Sequence, residues 1–205
     1  MKKCILLLPA LFLVWGCCGG TGKSQMIHYY TIEYASPRLD SLGATGEVIR
    51  VEPTTSISDA SGRDMVYRSQ PFARDAFRYH RWHVPPQEMA QRLLARDIRE
   101  SGLFRAILSP EDAGEERYLL SLQVDECLLM ERTGQTEAIL TIPATLLDLK
   151  RKDHSEGVVL QKTYRQSSPL ASRSPQELAR GMSEALERLS RALLQDMAEA
   201  LKKER

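Results

Sequence analysis

A long amphipathic helix near the C-terminal end limits the fold more than any other feature. Leu178, Met182, Leu186, Leu189, Leu193, Met197 and Leu201 recur at steps of three or four, the spacing that gathers side chains on one helical face. Ser174-Pro175-Gln176-Glu177 opens it with the residues of a capping box, and proline suits the first helical position. A helix from there to about residue 203 spans roughly 40 Å at 1.5 Å per residue. Its apolar stripe has to be buried, and the rest of the chain offers a sheet to bury it on.

That sheet is written as alternation. "HYYTIEYA" places His28, Tyr30, Ile32 and Tyr34 on one face, and "EVIRVEP", "DMVYRS" and "AFRYHRWHV" read as further strands. "TTSISDASGR" between them is a polar, turn-rich loop. Pro85-Pro86 stops the last of these strands and opens a first helix, with Met89, Leu93, Leu94 and Ile98 on its apolar side and Gly102 at its C-terminal cap. Arg92, Arg96, Arg99 and Glu100 fall on its outer face. After the short "FRAIL" comes "RYLLSLQVDECLLMER", with Tyr118, Leu120, Leu122 and Val124 on one face and Leu119, Ser121, Gln123 and Asp125 on the other. "AILTIPATLLDLK" and "VVLQKTYRQ" complete an antiparallel meander, and Pro143 points to an edge strand or a bulge. The order strands, helix, strands, helix predicts an α+β fold: a single, mostly antiparallel sheet with two amphipathic helices on one face, the C-terminal one long.

The other end of the chain reads differently. Met1-Lys2-Lys3 precedes "CILLLPALFLVW", the size of a signal-peptide core and short of the roughly 20 apolar residues that span a bilayer. Val14-Trp15-Gly16-Cys17 resembles the bacterial lipobox, with Trp15 bulkier than the usual residue. The motif implies thioether lipidation of Cys17, cleavage before it and acylation of the new amine; secretion after ordinary cleavage nearby is the alternative. Gly22-Lys23-Ser24 is not a phosphate loop. The glycine that motif requires falls on Cys17, and a strand rather than a helix follows. The expected organisation is a signal peptide at 1–16, a Gly/Ser/Lys tether at 17–27 and a domain at 28–205.

With 28 basic and 27 acidic residues, and two of the lysines in the leader, the mature chain is near neutral and lacks the basic surface of a nucleic-acid binder. After cleavage the cysteines are Cys17, Cys18 and Cys127, which do not make a disulfide framework; Cys127 reads as a small buried apolar residue. His80 and His83, three apart in a strand, point to opposite faces and make a poor metal pair. His28 and His154 stand alone in tether and turn. No G-x-S-x-G elbow is present. Asp125 and Glu126 fall on opposite faces, one solvated and one at a sheet margin, and "KRKDH" from Lys150 to His154 is a charged turn. No cofactor or metal is expected, and no enzyme activity. Tyr67 and Arg68, of the residue types favoured at interfaces, are the candidate partner contact.

The ordered set "YYTIEYASP", "EVIRVEP", "DMVYR", "AFRYHRWHVPPQEMAQRLLARDIRESGLFRAIL", "YLLSLQVDE", "AILTIPATLLD" and "SPQELARGMSEALERLSRALLQDM", behind lipobox Cys17, resembles the ABC-type transport auxiliary lipoprotein family, the PqiC/YmbA-like proteins. The resemblance covers nearly the whole mature chain. It implies a non-catalytic lipoprotein facing the periplasm. Such a protein accompanies an MCE-domain protein, an ABC permease and its ATPase, which move phospholipid or other hydrophobic molecules between the membranes. It carries Cys17 over as the lipid attachment point. Cys18, which is not aspartate, favours the outer membrane by the sorting rule of many lipoproteins. An envelope-assembly or scaffold lipoprotein is the alternative, and a homo-oligomer is left open.

Overall fold

The computed structural model describes residues 25–39, 43–57, 62–132, 134–151 and 157–204. The signal peptide, Cys17, Cys18 and most of the tether lie outside them, as do part of the "TTSISDASGR" loop and His154.

Four strands form the centre. β7 (Tyr118–Val124) and β8 (Glu126–Arg132) run end to end along one edge of β9 (Gln135–Asp148), and β10 (Val158–Pro169) lines the other edge. This is the expected antiparallel meander. One detail of it is not evident from alternation. Leu122 lies opposite Ala144 and Glu126 opposite Thr141, so four steps along β7–β8 match three along β9. The extra residue is a β-bulge around Asp125, and it reverses the parity of the strand. Tyr118, Leu120, Leu122 and Val124 face the core before it, and Cys127 and Leu129 after it. Pro143 sits opposite this break. Although β9 is a central strand, the proline is tolerated where the ladder is interrupted.

Shorter strands extend the sheet from both halves. β2 (Val48–Val51) pairs with β7 and carries β6 (Ala106–Leu108) outside it. β4 (Asp64–Arg68) pairs with β8 and carries β5 (Asp75–Trp82), then β1 (His28–Tyr30); β3 (Thr55–Ser56) adds two residues to β7. The long ladders are antiparallel, while β1–β5, β2–β6, β2–β7, β3–β7 and β4–β8 are parallel, so the sheet is mixed. β1 is also shorter than the alternation of "HYYTIEYA" predicts. Its partner β5 ends at Trp82, and Pro85-Pro86 follows, so the chain beyond Tyr30 has no strand to pair with. It lies against the helices instead, with the Glu33 amide donating to Ser183 Oγ at 3.0 Å.

Both helices cover one face of the sheet. α1 (Pro86–Glu100) has proline at its start and Gly102 with φ +66° just past its end, the left-handed position that favours glycine. α2 (Pro175–Lys203) is 29 residues long. Ser174 Oγ accepts from the Glu177 amide at 3.2 Å, and the Glu177 carboxylate turns back to accept from the Ala171 amide at 2.8 Å. Leu178, Met182, Leu186, Leu189, Leu193, Met197 and Leu201 are all buried in one core with Ile49, Leu120, Leu140, Ile142 and Leu146 of the sheet. Val66, Leu128, Met130 and Ile139 form a smaller cluster on the opposite face.

Gly181 marks the closest approach of α2 to the sheet. A Cβ there would stand 2.8 Å from Ala138 Cβ and 2.5 Å from a Leu170 methyl. The leucine can turn away, but Ala138 belongs to a strand held on both edges. Gly181→Ala should therefore lower the urea midpoint, with an overpacking loss of about 1–3 kcal/mol that outweighs the roughly 1 kcal/mol gained in helix propensity. A raised midpoint would mean that the helix has room to move off the sheet.

Candidate functional site

β4 and the turn that follows it carry the residues singled out from the sequence. Alternation along β4 sends Met65 and Tyr67 to the core side and Val66 to the other face. Tyr67 is not a free anchor. Its ring packs against Phe77 with centroids 5.0 Å apart, and the Arg173 guanidinium lies 4.0 Å above it. Arg173 comes from the loop before α2 and also pairs with Glu131 Oε2 at 3.3 Å. Arg68 lies at the mouth of a cavity of about 170 Å³ shared with Gln70, Pro71, Met130 and Arg132. Its Nε donates to the Gln70 carbonyl at 3.4 Å.

The turn between β4 and β5 presents a residue that the sequence reading passed over. Phe72 has φ +64° and is fully exposed. A bulky residue in the left-handed region is uncommon and strained, and here the strained backbone holds an aromatic ring entirely in solvent. The only sequence signal is Ser69-Gln70-Pro71, a turn composition around a phenylalanine. Propensity gives no reason for the ring to face outward.

β1 brings together groups far apart in sequence. In parallel register His28 falls opposite His80, and their rings stack at 5.3 Å. His28 is therefore not alone, as the sequence reading had it. The Tyr30 hydroxyl lies 2.9 Å from His80 Nδ1. Burial, with His28 and Arg81 adding to it, holds the His80 imidazole below its ordinary pKa. This pair joins an edge strand to the sheet; among the described residues no group of three or more His, Cys, Asp or Glu is arranged to hold a metal ion.

Among the described residues, several other reactive side chains are engaged in structure. Cys127 Sγ lies 3.8 Å from Met182 Sδ, and burial pushes its thiol up to about 12, the state of an inert thiol rather than a nucleophile. Asp125 accepts from Gln123 Nε2 at 2.6 Å, while Glu126 accepts from Thr141 Oγ1 at 2.6 Å and Arg165 at 2.8 Å. Arg117 bridges Glu47 at 2.7 Å and Asp148 at 2.8 Å, and its hydrogen bond holds the Glu47 carboxyl below the usual carboxylate range. Asp97 is fully buried between the helices and accepts from Tyr34, Ser190 and Arg96. A groove of about 540 Å³ between α1 and β6 is lined by Gln91, Ala95, Arg99, Ile107 and Pro110, with Glu88 and Arg92 on its rim. Its charges are mixed and no donor or acceptor set converges in it.

A family model described as ABC-type transport auxiliary lipoprotein component matches residues 30–193. The chain is similar to the crystal structure of a protein from Xanthomonas campestris, with TM-score 0.77 and 15% identity, covering 86% of this chain and 97% of that one. A second solved structure, of an uncharacterized protein, gives TM-score 0.66 at 9% identity over 84% and 99% of the two chains. A hypothetical protein from Chlamydia trachomatis gives TM-score 0.54 at 13% identity over 77% and 98%. At these identities the likeness is one of fold. No curated protein matches the chain.

Proposed function

Because the chain belongs to the family of ABC-type transport auxiliary lipoprotein components, we propose that it is the non-catalytic, periplasm-facing subunit of an MCE/ABC-type system. That system moves phospholipid or other hydrophobic molecules between the inner and outer membranes. The family description supplies the coarse reading, a lipoprotein component that assists an ABC-type transporter. The observation behind that coarse reading is the extent of the match, which runs from the end of β1 through most of α2 and so takes in most of both helices and the whole central meander. In this reading Cys17 bears the acyl chains, including palmitate, that hold the protein in the outer membrane. More than one acyl chain is needed for stable anchoring. The domain then serves as a docking body whose stiffness comes from the packing of α2 on the meander. Two contacts on opposite faces of β4 are offered to an MCE-domain or permease partner: Arg68 at the cavity mouth, and the edge of Tyr67 left open between Phe77 and Arg173.

Two measurements test this. Intact mass of the protein from membranes should show a diacyl or triacyl modification that Cys17→Ser abolishes, with membrane association lost in the same variant. A soluble, unmodified wild-type protein would overturn the anchor. Cross-linking of tagged protein in cells should then capture an MCE-domain protein or the permease and ATPase. Capture of envelope-assembly factors alone would overturn the transport assignment and leave a scaffold lipoprotein.

A further inference from the structure

The strands give the domain two distinct ends. β1 runs parallel to β5 with His28 opposite His80, so the chain coming from Cys17 enters the sheet from the end where β5 begins, which is the end that carries the Phe72 turn. β4 runs parallel to β8 with Arg68 opposite Met130, so the β8–β9 turn lies at the same end. The start of α2 joins them there, through the Leu170 amide on the Thr136 carbonyl at 2.8 Å and Arg173 on Glu131. The far end, where Arg151 pairs with Glu204, lies about 40 Å away along α2.

The near end collects exposed apolar side chains and cations. Phe72 is 101% exposed at the turn, and Met26 and Ile27, 75% and 46% exposed, lie on the chain that leads into β1, whereas Tyr29 packs at the other end of β5, against His83 and beneath Arg63. Arg74, Arg78 and Arg132 are exposed around the turn, with the exposed carboxylate of Asp75 and the partly exposed Glu131, which pairs with Arg173, beside them. Phe72 lies some eight residues before the level of His28, roughly 25 Å by strand rise. The stretch from Cys17 to Met26 reaches about 30 Å when extended. A bilayer holding Cys17 is therefore within reach of this end.

We propose that the Phe72 turn is a second, non-covalent membrane contact: Phe72 inserts at the headgroup and acyl boundary of the bilayer that holds Cys17, and Arg74, Arg78 and Arg132 face anionic lipid headgroups. The proposal rests on the lipid anchorage of Cys17. An aromatic tip flanked by basic residues fits an anionic interface. One ring and a few arginines bind weakly by themselves. The tether makes their contact intramolecular, at an effective concentration in the millimolar range. The contact then sets orientation: the near end lies on the membrane and the far end of α2 projects into the periplasm.

The test places a probe in the turn. Trp82 is fully buried, so Phe72→Trp adds the one indole open to its surroundings in the mature chain. The lipidated variant is reconstituted into vesicles of equal parts phosphatidylethanolamine and phosphatidylglycerol with brominated acyl chains. Blue-shifted emission and strong loss of intensity are expected, and both should weaken in Phe72→Trp with Arg74→Glu and Arg78→Glu. Unshifted, unquenched emission from protein that floats with the vesicles would overturn the membrane contact while leaving the anchor standing. Emission that shifts only when a transport partner is added would overturn it in favour of a protein contact. Protein that does not float, with an unmodified mass at Cys17, would remove the anchor and this proposal together.

Discussion

Leu189→Ala is expected to lower stability by about 2–5 kcal/mol, and Leu193→Ala by a similar amount. Both side chains are fully buried, one turn apart at the middle of α2, where the helix crosses the long strands. Each truncation removes a transfer term and leaves a cavity. The site cannot collapse easily, because β9 is held on both edges by β10 and by β7 and β8. A small domain has a total stability of about 5–15 kcal/mol, so the double replacement should leave little of it. The two residues share neighbours, and their effects should depart from additivity. Urea midpoints check this. A midpoint shifted by less than the equivalent of about 1 kcal/mol in either single variant would mean that the stripe serves a partner rather than the core.

The same stripe shows why parts of this fold could be read from sequence and others could not. A helix carries its signals locally: spacing, a serine cap, a proline at the first position, a glycine past the end. α1 and α2 accordingly appear where those signals place them, and α2 ends at Lys203. Strand pairing is not local. "HYYTIEYA" alternates throughout, yet only His28–Tyr30 finds a partner, because the length of a strand is set by the strand beside it. The parallel seams β1–β5 and β4–β8 leave no mark in either segment, so the stacking of His28 on His80 was out of reach of sequence reasoning. The bulge at Asp125 did leave one. The alternation of Tyr118 to Val124 fails to continue into Cys127 and Leu129, and Pro143 warned of an irregularity opposite. The candidate site divides in the same way. Tyr67 and Arg68 were legible as residue types on opposite faces of a strand. The cap of Arg173 over Tyr67 and the outward Phe72 depend on loops, whose course is set by contacts from elsewhere in the chain.

Asp97→Ala is expected to be the most disruptive polar change, with a loss of about 3–5 kcal/mol. The sequence marks the position only as an acid next to Ile98, on the apolar side of α1. The structure buries it completely. One carboxylate oxygen accepts from the Tyr34 hydroxyl and from Ser190 Oγ, both at 2.6 Å, and the other accepts from Arg96 Nε at 2.9 Å and Nη2 at 2.8 Å. Arg96 also covers the Tyr34 ring at 4.8 Å and donates to the Tyr34 carbonyl at 3.1 Å. One carboxylate thus joins α1, α2 and the segment after β1. Its loss strands the Ser190 hydroxyl and leaves the guanidinium without its anion, and an unpaired buried group costs more than a missing bond. Ser190→Ala keeps three of the four donors and removes the fourth with its own polar atom, so its loss should be near 1 kcal/mol. In a double variant the two effects should be markedly less than additive, since the serine has nothing left to donate to once Asp97 is gone. Additive losses would show that Ser190 and Asp97 act separately and that the helices are held in register by apolar packing alone.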